Sequence, residues 1–166
     1  MIIACFGLCA LIGFYPEKVS AAAASAGKVF NFDDQYVQLE AGIFPGESRS
    51  AFGIEVTMTP KPGWKILAGN SSGVKALRLK FSPAKCLKMN GATQISPADW
   101  SGTDDSGAFS EYFTKTASLR QEFSTQKCTQ KNGLEGRANL TYLLCQDNRC
   151  VGPFSREFRF KAPERK

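Results

Sequence analysis

The chain is 166 residues long, 43% apolar and 22% charged, with a net charge of +6 and no histidine. That size and balance fit one domain around one core, and the missing histidine excludes Ser-His-Asp and Cys-His nucleophile systems as well as histidine-ligated zinc. The positive charge raises nucleic acid or an anionic surface as a partner. Lys75, Arg78, Lys80, Lys85 and Lys88 are spread among apolar residues as on the wet face of a strand, however, with no aromatic-plus-basic signature beside them, so no nucleic-acid partner is expected.

From Met1 to Tyr15 the chain is almost unbrokenly apolar, and the small-residue tract Ala21 to Ala26 follows. The apolar run is about 14 residues, short of the roughly 20 that a spanning helix needs. Together these features predict a secretory signal peptide over 1–26, cleaved near Ala26, with no basic residue ahead of the run. The chain is therefore expected to be exported, with its domain over 27–166.

After Ala26 the dominant period is two. Phe52, Ile54, Val56 and Met58 alternate with Gly53, Glu55, Thr57 and Thr59. Leu77, Leu79 and Phe81 alternate with Arg78 and Lys80, and Phe154, Phe158 and Phe160 with Ser155, Glu157 and Arg159. Tyr36 to Leu39, Trp64 to Ala68, Ser118 to Phe123 and Ala138 to Leu144 are further candidate strands. Turns are expected at Phe44-Pro-Gly46, Pro60 to Gly63, Gly69 to Gly73, Asn90-Gly91 and Asn132-Gly133. About seven short strands with frequent turns predict an all-β sandwich. The stretch from Ile95 to Ala108, with Pro97, Trp100, Gly102, Asp104, Asp105 and Gly107, reads as a polar loop, and loops of this length are often functional.

Loss of the signal peptide leaves Cys86, Cys128, Cys145 and Cys150, an even number in an exported protein. Four cysteines permit three pairings that sequence does not rank. Proximity favours Cys145 with Cys150, which leaves Cys86 with Cys128. Gln146 to Arg149 is rich in turn formers and allows a hairpin between the close pair. On the loop-entropy model that bridge restrains the unfolded chain by only about 2 kcal/mol, against about 4 kcal/mol for a loop of roughly forty residues. The short bridge is therefore a weak staple and a plausible redox switch. Arg149 favours a thiolate at Cys150 and Asp147 opposes it, so no strongly acidic thiol is expected. The other reading of the same spacing is a plain structural disulfide in a binding or scaffold domain. Asp104-Asp105 reads as solvated turn residues, isolated Cys86 and Cys128 do not make zinc knuckles, and no phosphate-cradling Gly loop occurs. No metal or organic cofactor is expected.

Tyr142-x-x-Cys145-x-Asp147-x-x-Cys150-x-x-Pro153, followed by an alternating strand, resembles the signature of the N-terminal periplasmic domain of the thiol:disulfide interchange protein DsbD. Gly63 to Ile66 is similar to that family's Gly-aromatic segment, and Ser110-Glu111-Tyr112 to the step after its cap loop. The resemblance implies a periplasmic location and an immunoglobulin-like sandwich that carries its cysteine pair on a hairpin. It implies a protein-disulfide reductase component that takes electrons from a thioredoxin-like domain and passes them to periplasmic disulfide isomerases or cytochrome c maturation proteins, in association with a membrane electron-transfer protein. Cys150 would form the mixed disulfide, Cys145 would resolve it, and a cap loop, by position Asp104 to Phe109, would shield the pair. The chain departs from the family at Leu143, at Gly152 ahead of Pro153, at Lys65 and Leu67 where tyrosines neighbour the pair, and at Ser106 in place of an aromatic cap residue, a role Phe109 could fill. Cys86 and Cys128 are not part of that signature.

Overall fold

The computed structural model describes residues 27–163 except 49, 71–75, 104–106, 128–133 and 148. Every regular element among the described residues is a strand: β1 Gly27–Asp33, β2 Val37–Pro45, β3 Ala51–Pro60, β4 Lys65–Asn70, β5 Arg78–Pro83, β6 Leu87–Ile95, β7 Trp100–Thr103, β8 Phe109–Phe113, β9 Ala117–Thr125, β10 Glu135–Gln146 and β11 Arg149–Lys161. They form two antiparallel sheets. The first has the order β1-β2-β3-β9-β6. The second has the order β11-β10-β4-β8-β7, with β5 also paired to β10. Strand β10 thus has β11 along one edge, while the other edge is shared by β5 at Gly136 to Thr141 and β4 at Leu144 and Cys145.

The period of two does what it predicts. Leu39, Ala41 and Ile43 of β2 lie opposite Met58, Val56 and Ile54 of β3, and Val56 and Phe52 lie opposite Leu119 and Phe123 of β9. These rows meet Ile66, Leu79, Phe113, Leu140, Tyr142, Leu144, Phe158 and Phe160 of the second sheet in one continuous core. Aromatic rings bridge the layers: Phe30 stacks on Phe158 at 5.4 Å, and Phe123 meets both Phe81 at 5.1 Å and Phe160 at 5.3 Å. Each such side chain contributes about 1.5–3 kcal/mol on leaving water. The result is an immunoglobulin-like β-sandwich: the spacing of strands and turns predicted the sandwich, and the family resemblance implied its immunoglobulin-like form.

The described residues form eleven strands where about seven were expected; β1, β6, β7 and β8 are the additional ones, and β6 and β7 run through segments read as a turn and a loop. Asn90-Gly91 is not a hairpin turn but a bulge inside β6, where Gly91 takes φ 68° and the register slips between Asn90 and Gln94. Its anchor is Gln121, a buried amide in the row that also holds Ile54. Gln121 Nε2 donates to the backbone carbonyls of Asn90 at 3.1 Å and Glu122 at 3.0 Å, and its Oε1 accepts from Thr93 Oγ1 at 2.9 Å. The 95–108 stretch is not simply a loop either, since β7 runs through it and pairs Trp100 with Tyr112 and Thr103 with Phe109. The cause is local. The Trp100 ring lies across Gly102, where a Cβ would stand 2.7 Å from it, and packs 5.3 Å from Tyr112.

Candidate functional site

Strand β10 ends at Gln146 and β11 begins at Arg149, a two-residue connection with Asp147 at φ 49°. A positive φ at the first turn position matches the twist of the flanking strands, and Asp tolerates it because its short side chain bonds locally. The tight turn fixes the register, with Gln146 opposite Arg149 and Cys145 opposite Cys150. Their Cα atoms are 4.0 Å apart, and the two sulfurs are joined in a disulfide. Two residues on, the register slips between Tyr142 and Leu144, because Gly152 and Pro153 together face the single residue Leu143. Gly152 adopts φ 112°, and a Cβ there would stand 2.9 Å from the Phe154 nitrogen. The glycine departure from the family pattern therefore sits where the bulge demands a glycine.

Alternation along β10 decides what the disulfide faces. Ala138, Leu140, Tyr142 and Leu144 point into the sandwich, so Arg137, Asn139, Thr141, Leu143 and Cys145 point outward. On that outer face Cys145 does not meet water. It packs with Leu67 and Ala76, flanked by Tyr112 and Leu143, in a small apolar cluster of its own, and is only 1% exposed. Cys150, on the edge strand, is exposed. One sulfur-bearing residue is thus open to solvent and the other is shut in.

Lys65 lies directly opposite Cys145 on β4. Its ammonium is held 5.3 Å above the Trp100 ring and 5.2 Å above the Tyr112 ring. Such cation–π contacts are worth about 0.5–1 kcal/mol at exposed sites. Lys65 and Leu67, singled out in the sequence only as replacements for tyrosines, thus help to build the wall of the site together with Trp100, Ala76 and Tyr112. Sequence reasoning missed Trp100 and Ala76. A lone tryptophan amid small polar residues was the available signal for the first, and none existed for Ala76.

The other expected site residues divide. Asp147 forms the turn and Pro153 the bulge. Tyr142 is on the same strand but on the opposite face, fully buried and 5.5 Å from the Phe154 ring. Burial pushes its phenol above the usual value of 10.0, the Arg156 charge opposes this and Asp34 adds to it, so the hydroxyl stays protonated. Phe109 opens β8 and is 44% exposed, while Glu111 stands exposed between Gly69 and Ser101. The apolar residues packed on Cys145 are those named above and do not include Phe109. Asp104, Asp105, Ser106 and Cys128 lie outside the described residues, as does the span 1–26. Cys86 is buried and disulfide-bonded, with its partner outside the described residues. Among the described residues no group of three or more His, Cys, Asp or Glu side chains could hold a metal, and no helix is long and apolar enough to cross a membrane.

The fold and site define an all-β sandwich with a half-exposed hairpin disulfide. No protein-family model matches the sequence, and no curated protein matches it significantly. Among solved structures, the reduced N-terminal domain of DsbD from Neisseria meningitidis is similar at 18% identity and TM-score 0.48, over 68% of this chain and 78% of that one. The GAE domain of yeast GGA1 is similar at 8% identity and TM-score 0.43, over 80% of this chain and 96% of that one. At such scores neither likeness adds to what the sheets and the site say by themselves.

Proposed function

We propose that this chain is a periplasmic thiol–disulfide exchange domain that relays electrons through Cys145 and Cys150. The observation that carries the reading is the unequal exposure of the pair, with Cys150 open and Cys145 1% exposed beneath Leu67, Ala76, Tyr112 and Leu143. Exchange requires an incoming thiolate to reach one sulfur in line with the bond while the other leaves. A donor thiolate attacks Sγ of Cys150, the Cys145–Cys150 bond breaks, and Cys145 departs as a thiolate that takes up a proton. The donor's second thiol then attacks its own mixed sulfur, releasing Cys150 reduced and the donor oxidised. In the second half the Cys150 thiolate attacks an acceptor disulfide, and Cys145 resolves the mixed bond. Two electrons and two protons pass in each half.

The sequence resemblance to the DsbD N-terminal domain supports a thioredoxin-like donor, and disulfide isomerases or cytochrome c maturation proteins as acceptors. In this reading Cys86 and Cys128 form a structural bridge and segment 1–26 is the export signal.

The test is a redox titration of the folded chain in graded thiol buffers, with alkylation and peptide mapping to follow each cysteine. Selective reduction of Cys145–Cys150, with the Cys86 bridge intact, is the expected result. Resistance of both bridges until unfolding, as for structural disulfides below about −300 mV, would make the domain a stapled binding or scaffold module. With the oxidised, disulfide form of a thioredoxin-like donor, the Cys150 thiolate of Cys145→Ala is expected to attack that disulfide and accumulate a mixed disulfide, and Cys150→Ala to form none. Normal exchange by either variant would refute the assigned roles.

A further inference from the structure

We propose that the outward face of β5, β10 and β11, which continues from the disulfide, is an electrostatic docking surface for a redox protein that carries acidic residues near its own cysteine pair. The inference rests on the exchange reading of Cys145–Cys150 and names the chemistry of the partner.

The register lays the face out in rows. Beyond Leu143 and the bulge, Arg78, Thr141 and Ser155 form one row, Lys80, Asn139 and Glu157 the next, and Ser82, Arg137 and Arg159 the one after. Rows on one face are about 7 Å apart, which puts the Arg78 row about 14 Å and the Arg137 row about 27 Å from Cys145. A partner seated on Cys150 would span this distance with a footprint of ordinary size, about 800 Å². Near the disulfide end the face also carries the Lys65 ammonium.

Cations outnumber acids on this face. Arg78, Lys80, Arg137 and Arg159 are exposed, and the next row adds exposed Lys161, while the acids are Glu157, 3.9 Å from Arg137, and Glu135, opposite Lys161. Arg137 stands directly opposite Arg159. Like charges placed across a ladder destabilise it, so a sheet chosen for stability alone would not set them there. Between the cations, Asn139 Nδ2 donates to Ser155 Oγ at 2.9 Å and Thr141 Oγ1 to Asn139 Oδ1 at 3.2 Å, a polar ladder suited to hydrogen-bonded protein contact. None of the exposed large apolar side chains among the described residues lies in the three rows: Ile95 is on β6, Phe109 on β8, Val151 in the inward register of β11, and Trp100 on β7 in the wall of the disulfide site. The face therefore has charge and hydrogen bonds but no apolar wedge for a lipid surface, and it shares its strands with the reactive cysteine. Both features favour an acidic protein over a membrane. Complementary charge of this kind acts mainly on association rate.

The test uses the full chain and three reductants: dithiothreitol, a synthetic Cys-x-x-Cys peptide with a ten-residue glutamate-rich tail, and the same peptide with a lysine-rich tail. Each peptide rate is divided by the dithiothreitol rate of the same protein. At low salt the acidic peptide is expected to exceed the basic one by about tenfold or more, with the advantage shrinking as ionic strength rises past about 0.1 M. In the variant carrying Lys80→Glu, Arg137→Glu and Arg159→Glu the preference should reverse. Equal rates for the two peptides, or a preference that survives the reversal or high salt, would overturn the docking surface while leaving the exchange reading intact. Failure of dithiothreitol to reduce the folded chain would overturn both. Binding of the chain to phosphatidylglycerol vesicles without any peptide preference would assign the charge to a membrane instead.

Discussion

Reactivity at the hairpin turns on which sulfur a thiolate can reach, and the side chains around Cys145 set that. Tyr112 and Leu143 flank it on the outer face, so shortening Tyr112 opens a path that the wild type closes. Tyr112→Ala is expected to raise the rate of reduction by a small thiol several-fold without changing the far-ultraviolet spectrum, measured by stopped-flow; an unchanged rate would mean that Cys145 is shielded by other groups. Gly152 is the second decisive residue. At φ 112°, with a Cβ 2.9 Å from the Phe154 nitrogen, alanine is strained and crowded together. Gly152→Ala should cost about 1–3 kcal/mol in urea unfolding. Asp99 adds a pH dependence. Slight burial raises its carboxyl, but hydrogen bonds from the Thr114 and Lys115 nitrogens and from Thr114 Oγ1, with the Lys115 charge, outweigh this and hold it below 3.8. Because the folded value is the lower one, the stabilisation is complete above the ordinary value and lost as pH falls through the folded one. The melting-temperature gap between wild type and Asp99→Ala, present near pH 6, should therefore narrow as pH falls below the ordinary carboxylate value of 3.8.

Strands β6 and β7 show how tertiary partners overrule local signals. An Asn-Gly pair is a strong turn former, yet at Asn90-Gly91 the chain continues as strand, because the Gln121 amide satisfies the carbonyls and the threonine that the bulge frees. Replacing it with methionine keeps the volume and removes the bonds. Gln121→Met should destabilise by about 1–3 kcal/mol, with hydrogen exchange speeding first across 90–94; uniform acceleration over both sheets would contradict this anchor. Strand β7 is short and polar, and nothing in its own alternation marks it as a strand. It is held by Trp100 on Tyr112 and by Asp99, which ties its entrance to the exit of β8.

Across the whole molecule the hairpin disulfide is peripheral to stability, since β10 is paired along both edges and its inward side chains belong to the main core. Opening a loop of about six residues removes only about 2 kcal/mol. The Cys145→Ser/Cys150→Ser variant is thus expected to stay folded and to melt roughly 4–10 °C lower, as a single transition. Collapse of the fold would mean that the bridge is a staple. A domain that survives with its bridge open is a physical requirement for an electron relay, because each cycle passes through the reduced form.

The alternation of large apolar and polar residues determined most of the core, including Phe52, Ile54, Val56, Leu140 and Phe158, because a period of two can bury one face only when strands pair. The spacing of Cys145 and Cys150 with turn formers between them likewise determined the hairpin. The tertiary structure alone decided that Cys150 is open and Cys145 closed, since Leu67, Ala76 and Tyr112 come from other strands and connections, brought there by pairings that no local pattern encodes. It also decided that the scattered cations Arg78, Lys80, Arg137 and Arg159 share one face with the disulfide. Register is a relation between distant segments, and only the closed pair of sheets fixes it.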